Sequence, residues 1–185
     1  ASDVYKRQEK YSGRIPGANL HYKDAVELVT EGASEVCLVV EQDVMACRSR
    51  NVVARIEGTD KKDEILTITA HYDSVPEGPG AYDNMAGAAI IMELCRYFQQ
   101  YRPRRTMEFV WFGAEEKGLL GSRDYIRVHE SELGAHRFNM NVDLAGQLIG
   151  GNVLGVTGEA SVCDKLLEIA DGAGIGASVK NQIWG

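Results

Sequence analysis

From residue 64 to residue 171 the chain alternates short apolar, β-branched runs with longer stretches whose apolar positions recur at helical spacing. Residues 64–70 (EILTITA) read as a strand with apolar residues on both faces. Residues 85–100 (MAGAAIIMELCRYFQQ) read as a helix that Asp83 or Asn84 can cap, with Pro103 just past its end. Strands follow at 106–112 (TMEFVWF), 138–144 (FNMNVDL) and 152–157, with helices at 120–130 and 160–171. Strands joined through helices require crossover connections, and these make a parallel sheet covered on both sides. The expected fold class is therefore α/β, a mixed but mostly parallel sheet with helices on both faces.

Upstream, residues 20–33 can form a helix ending near Gly32, residues 35–41 (EVCLVVE) read as a strand, and residues 51–57 (NVVARIE) alternate as a strand that stops at Gly58. The chain thus divides into a terminal stretch without periodicity (1–8), excluded from the fold, a partial N-terminal α/β segment (9–46) and a larger domain (47–185). The whole chain has 185 residues, 44% of them hydrophobic, enough for one domain with a core of its own. The net charge of −7 argues against a nucleic-acid binder, which normally carries a basic face. No apolar run reaches the roughly 18 residues that span a bilayer. The first residue is Ala1, so the lack of a targeting segment assigns no compartment, cytoplasmic or secreted. The four cysteines form no CxxC pair, and Cys37 and Cys95 lie in apolar runs, as buried free thiols do.

The chemistry-bearing residues collect just past the strands. His71-Tyr72-Asp73 follows the first strand of the alternation. Residues two apart on a strand end point to one side, so Asp73 is placed to orient or polarise the His71 ring. Asp83 lies in a glycine-rich loop before the long helix. It can cap that helix, or offer two oxygens to two cations about 3.5–4 Å apart. Glu115 and Glu116 follow the next strand. Adjacent side chains do not easily reach one atom, which suits one ligand and one free base. Asp143 stands in the apolar run 138–144, and a carboxylate buried there is costly unless paired or bound to metal. Each cluster alone has an ordinary reading as surface, cap or charged turn. In order at successive strand ends, where α/β sheets collect ligands, they make a set of nitrogen and carboxylate donors suited to zinc, with manganese or cobalt as alternatives.

The stretches TAHYDSVPEGPGAYDNMAGAA, FVWFGAEEKGLLGSRDY and MNVDLAG resemble peptidase family M28, the di-zinc aminopeptidases. The resemblance covers about residues 51–157. It implies an exopeptidase that removes N-terminal residues from peptides carrying a free N-terminus, with two zinc ions in the complete protein. By the same resemblance His71 and Asp143 hold one zinc, Asp83 bridges both and Glu116 holds the other. Glu115 is the general base that acts on a metal-activated water, and Asp73 is the partner of His71. The segment 9–46 resembles part of a protease-associated insert.

The family places a further histidine, the last ligand of the second zinc, beyond the position of Asp143. No histidine follows Asp143 in this sequence, and His21, His129 and His136 all precede it. The expectation is a chain cut short of that ligand, inactive by itself. Two alternatives share the fold: a glutaminyl cyclase-like acyltransferase, and a non-catalytic binding ectodomain.

Overall fold

The computed structural model describes residues 20–37, 39, 45–147 and 149–181. The terminal stretch 1–8 lies outside them. Helix α1 (Tyr22–Thr30) is capped by His21, whose Nδ1 accepts the Lys23 N–H at 3.3 Å. The expected strand at 35–41 is not found in its described part: residues 35–37 and 39 carry no regular structure. The side chains of these described residues are exposed, without the half-buried surface that favours a strand.

The main sheet contains β1 (Val52–Ile56), β2 (Lys61–His71), β3 (Arg105–Phe112) and β4 (His136–Asn141), in the order β1-β3-β2-β4. β1 runs antiparallel to β3, while β2 is parallel to both β3 and β4. The sheet is thus mixed and mostly parallel, as the strand–helix alternation requires.

Helices α2 (Ala86–Gln100) and α3 (Leu120–Val128) cover opposite faces of the sheet. On α2, Ile91, Leu94, Cys95 and Phe98 form one stripe at helical spacing and pack on Ile68, Ala70, Met107 and Phe109. Trp111 Nε1 donates to the Ala88 carbonyl at 3.0 Å on the same side. The other face shows the alternate residues of the strands. There the Tyr125 hydroxyl of α3 donates to the buried carboxylate of Glu108, and its ring meets Phe112 edge-on at 5.8 Å. Burying a side chain the size of Phe109 or Ile91 contributes roughly 1.5–3 kcal/mol, so the α2 face supplies most of the core.

Two boundaries differ from the sequence reading. The strand expected over 138–144 ends at Asn141, and Asp143 lies in the loop beyond it with a side chain 38% exposed. Leu144 takes φ 49°, which turns the chain out of the extended conformation at that point. The segment 152–157 joins a separate two-stranded sheet, not the main one. β5 (Asn152–Val156) pairs in parallel with β6 (Ala177–Asn181), connected by α4 (Ala160–Gly172). β6, with its sequence ASVKN, has too little apolar pattern to be read as a strand; its pairing with β5 makes it one. Among the described residues no helix is long and apolar enough to cross a membrane. Of the cysteines, Cys95 is buried as expected, but Cys37 is exposed, and all four are free thiols.

Candidate metal centre

The register of the parallel strands decides which side chains meet. His71 pairs with Phe112, and Thr69 pairs with Asn141, so β2 and β3 end level and β4 ends two residues earlier beside them. Each chain then leaves the sheet within a few residues and carries its acidic group over the same edge. His71 is 3% exposed, and its Nε2 lies 3.0 Å from Asp83 Oδ1 and 3.4 Å from Asp143 Oδ1. Donor atoms of these three residues all lie within 4.8 Å of one another. Glu115 Oε2 is 4.0 Å from the same ring nitrogen. A small cavity of about 180 Å³ beside them is lined by Thr69, His71, Phe112, Glu115, Asn141 and Asp143, among others.

Asp83 owes its position to the loop before α2. Gly80 takes φ 66°, and the loop closes in a wide turn, Ala81–Met85, whose Asp83–Asn84 peptide is cis. Asp83 does not cap the helix. That role falls to Asn84, 1% exposed, whose Oδ1 accepts the Gly87 N–H at 3.0 Å while its Nδ2 donates to the Val142 carbonyl at 2.9 Å. One buried amide therefore fixes the start of α2 and ties the Asp83 loop to the segment entering Asp143. A Cβ at Gly87 would run into the Val142 oxygen, so only glycine permits this approach.

Asp73 has a fuller part than the sequence reading gave it. The His71 Nδ1 faces the Asp73 carbonyl oxygen at 3.0 Å, with the Asp73 carboxylate further off at 3.6 Å. The carboxylate instead accepts the backbone N–H of Glu115 at 3.0 Å and of Glu116 at 3.2 Å. Asp73 thus orients the ring through its main chain and holds the loop after β3 through its side chain. Backbone donors carry no residue signature, which is why the sequence could not indicate this.

Glu116 lies outside the group of three. Its Oε1 is buried and accepts no hydrogen bond. Burial, and then the charge of Asp83, push the Glu116 carboxyl above its usual range. Glu115 is likewise raised, first by burial and then by Glu116, Asp143 and Asp73, although His71 pulls against this. For His71, burial works to lower the pKa, but the carboxylates of Glu115, Asp143 and Asp83 outweigh it and the net shift is upward. A half-buried cluster of carboxylates around one imidazole, with an orphaned buried oxygen beside it, is short of positive charge. These residues fit a divalent cation: the imidazole and carboxylate donors are those zinc takes, and the orphaned Glu116 oxygen is a further one. Of the other histidines, His136 Nδ1 contacts Thr67 Oγ1 at 2.6 Å and His129 stacks on Tyr125 at 4.4 Å. Neither belongs to the group of three.

Comparison with known proteins agrees with this architecture. The sequence model of peptidase family M28 matches residues 51–174. The chain is 42% identical over 87 residues to aminopeptidase YwaD of Bacillus subtilis, covering 46% of this chain and 19% of that protein. It is 33% identical over 136 residues to leucine aminopeptidase 2 of Trichophyton rubrum, covering 71% of this chain and 27% of that protein. The chain therefore spans about a fifth to a quarter of the length of these relatives. Among solved structures it superposes on a zinc aminopeptidase from Bacillus subtilis with a TM-score of 0.63 and 30% identity, over 71% of this chain and 34% of that one. A glutaminyl cyclase from an Acidobacteriales bacterium superposes with a TM-score of 0.61 at 18% identity, over 71% of this chain and 52% of that one, a likeness of fold alone. With His71, Asp83, Glu115, Glu116 and Asp143 at the strand ends and the match running through all of them, the chain belongs to peptidase family M28.

Proposed function

We propose that this chain carries the metal-bearing part of a zinc aminopeptidase, a hydrolase that removes N-terminal residues from peptides. His71, Asp83, Asp143 and Glu116 would hold zinc, two ions in the complete protein. The observation that carries this reading is the convergence of Asp83 and Asp143 on His71 Nε2, with Glu115 Oε2 at 4.0 Å from the same atom. Zinc bound there supplies Lewis-acid chemistry, acidifying water toward neutrality and polarising a carbonyl.

Glu115 is the base. Its carboxylate takes a proton from the attacking water and gives one to the leaving amine nitrogen. Glu115 lies 4.0 Å from the His71 Nε2 on which Asp83 and Asp143 converge, within reach of a water held there. Asp73 holds the Glu115 backbone in place, so the base does not need to be ordered during the reaction. The acidic surroundings also give a free α-ammonium group a complementary field, which favours an exopeptidase.

Zinc titration, followed by assays of the complete protein on an aminoacyl-nitroanilide and on a peptide with N-terminal glutamine, tests the reading. Nitroaniline release without cyclisation supports it. A cyclised product, or zinc binding with neither reaction, would overturn it in favour of an acyltransferase or a non-catalytic domain.

A further inference from the structure

Asp83 is flanked by two residues whose side chains both reach the segment that carries Asp143. On one side Asn84 donates to the Val142 carbonyl at 2.9 Å from within the protein. On the other, Gln147 Nε2 donates to the hydroxyl of Tyr82 at the exposed rim, across 65 residues of sequence. Tyr82 is 38% exposed. The Gln147 side chain lies over Gly150, where a Cβ would come within 2.6 Å of its Oε1, so a residue without a side chain makes room for it. Of the three donors that converge, Asp83 and Asp143 come from loops and only His71 from a strand. The distance between the two carboxylates is therefore set by whatever joins those loops.

We infer that the Tyr82–Gln147 pair is a positioning clamp for the metal centre. It closes the outer side of the two ligand loops as Asn84 closes the inner side, and it fixes Asp83 and Asp143 at a spacing suited to a cation. The inference rests on the metal reading of His71, Asp83 and Asp143. Both clamp residues lie at the surface, so the fold does not need their hydrogen bond; the metal site does. Ligand loops that are held in advance spare the cation the cost of ordering them.

The test is the affinity of the 185-residue chain for zinc alone, measured by competition with a chromophoric chelator, beside the visible spectrum of the cobalt-loaded chain. Tyr82→Phe and Gln147→Ala should each weaken zinc binding about tenfold and alter the cobalt spectrum, with little change in the thermal midpoint of the metal-free chain. The double variant should bind no more weakly than the worse single one, because both lose the same contact. Gln147→Glu keeps the contact with its direction reversed, the Tyr82 hydroxyl donating to the carboxylate, and should recover most of the affinity. Unchanged affinity in both single variants, or losses that simply add in the double variant, would overturn the clamp while the metal reading stands. A wild-type chain that binds no zinc would overturn both. Equal losses of zinc affinity and of metal-free stability would reduce the pair to a fold contact.

Discussion

The carboxylate of Asp73 and the backbone N–H of Glu115 are joined at 3.0 Å across 42 residues of sequence. With the Glu116 N–H at 3.2 Å from its other oxygen, this makes Asp73 a two-pronged acceptor for the loop that carries both glutamates. Hydrogen bonds to a charged acceptor are worth about 1.5–3 kcal/mol each, and Asp73 is only 24% exposed. Asp73→Ala should therefore lower stability by about 2–4 kcal/mol in chemical denaturation. It should also cut turnover of the complete enzyme about 10–100-fold. Asp73→Asn keeps one acceptor and should fall in between. If Asp73→Ala is as stable as the parent, the tether is not a structural one.

On the proposed mechanism the two adjacent glutamates separate by role. Glu115→Gln should retain zinc and lose about 10²–10⁴ in kcat. Glu116→Gln should release zinc from one of the two positions in the complete protein. Metal analysis beside steady-state kinetics distinguishes them, and a Glu115→Gln protein that loses zinc would reverse the assignment.

The metal-free chain should be more stable in mild acid than at neutral or alkaline pH. Glu115, Glu116 and His71 all have folded-state pKa values raised above their ordinary ones. A group with a raised folded pKa binds more protons folded than unfolded, so its stabilising effect is complete below the unfolded pKa and lost as pH rises through the folded one. The loss begins for the glutamates at 4.5 and for His71 at 6.5, and runs upward from there. Asp60, held low by its hydrogen bond to Arg104, works in the opposite sense, with a contribution present above 3.8 and lost as pH falls below it. Thermal midpoints with chelator present should be higher near about pH 5.5 than near about pH 8, and the Glu115→Gln, Glu116→Gln double variant should flatten the difference. A midpoint that rises steadily from acid to alkaline pH would contradict this.

At Gly87, α2 approaches the segment entering Asp143 closely. A methyl group there would collide with the Val142 oxygen and lie 2.5 Å from Asn84 Oδ1. Alanine gains roughly 1 kcal/mol over glycine in a helix, but overpacking against backbone costs about 1–3 kcal/mol or more. The clash wins because the backbone oxygen cannot rotate away. Gly87→Ala should be destabilised in urea unfolding and should bind zinc more weakly than the parent. A stabilised variant would show that the loop yields.

Much of this protein is encoded locally. The apolar run of β2, the helical stripe of α2 and the acidic groups just past the strands are properties of neighbouring residues, and periodicity and burial express them directly. For that reason the α/β class and the candidate ligands His71, Asp83 and Asp143, with the glutamate pair, are legible in the sequence by itself. The tertiary structure decided everything that depends on which segments meet. It set the strand order β1-β3-β2-β4, and it turned ASVKN into a strand by pairing it with β5. It also ended β4 at Asn141, leaving Asp143 on a loop, and gave the Asp73 carboxylate to two backbone donors while its carbonyl took the histidine. Hydrogen bonds to the main chain have no residue type to mark them, and their partners are fixed only when the strands settle into register.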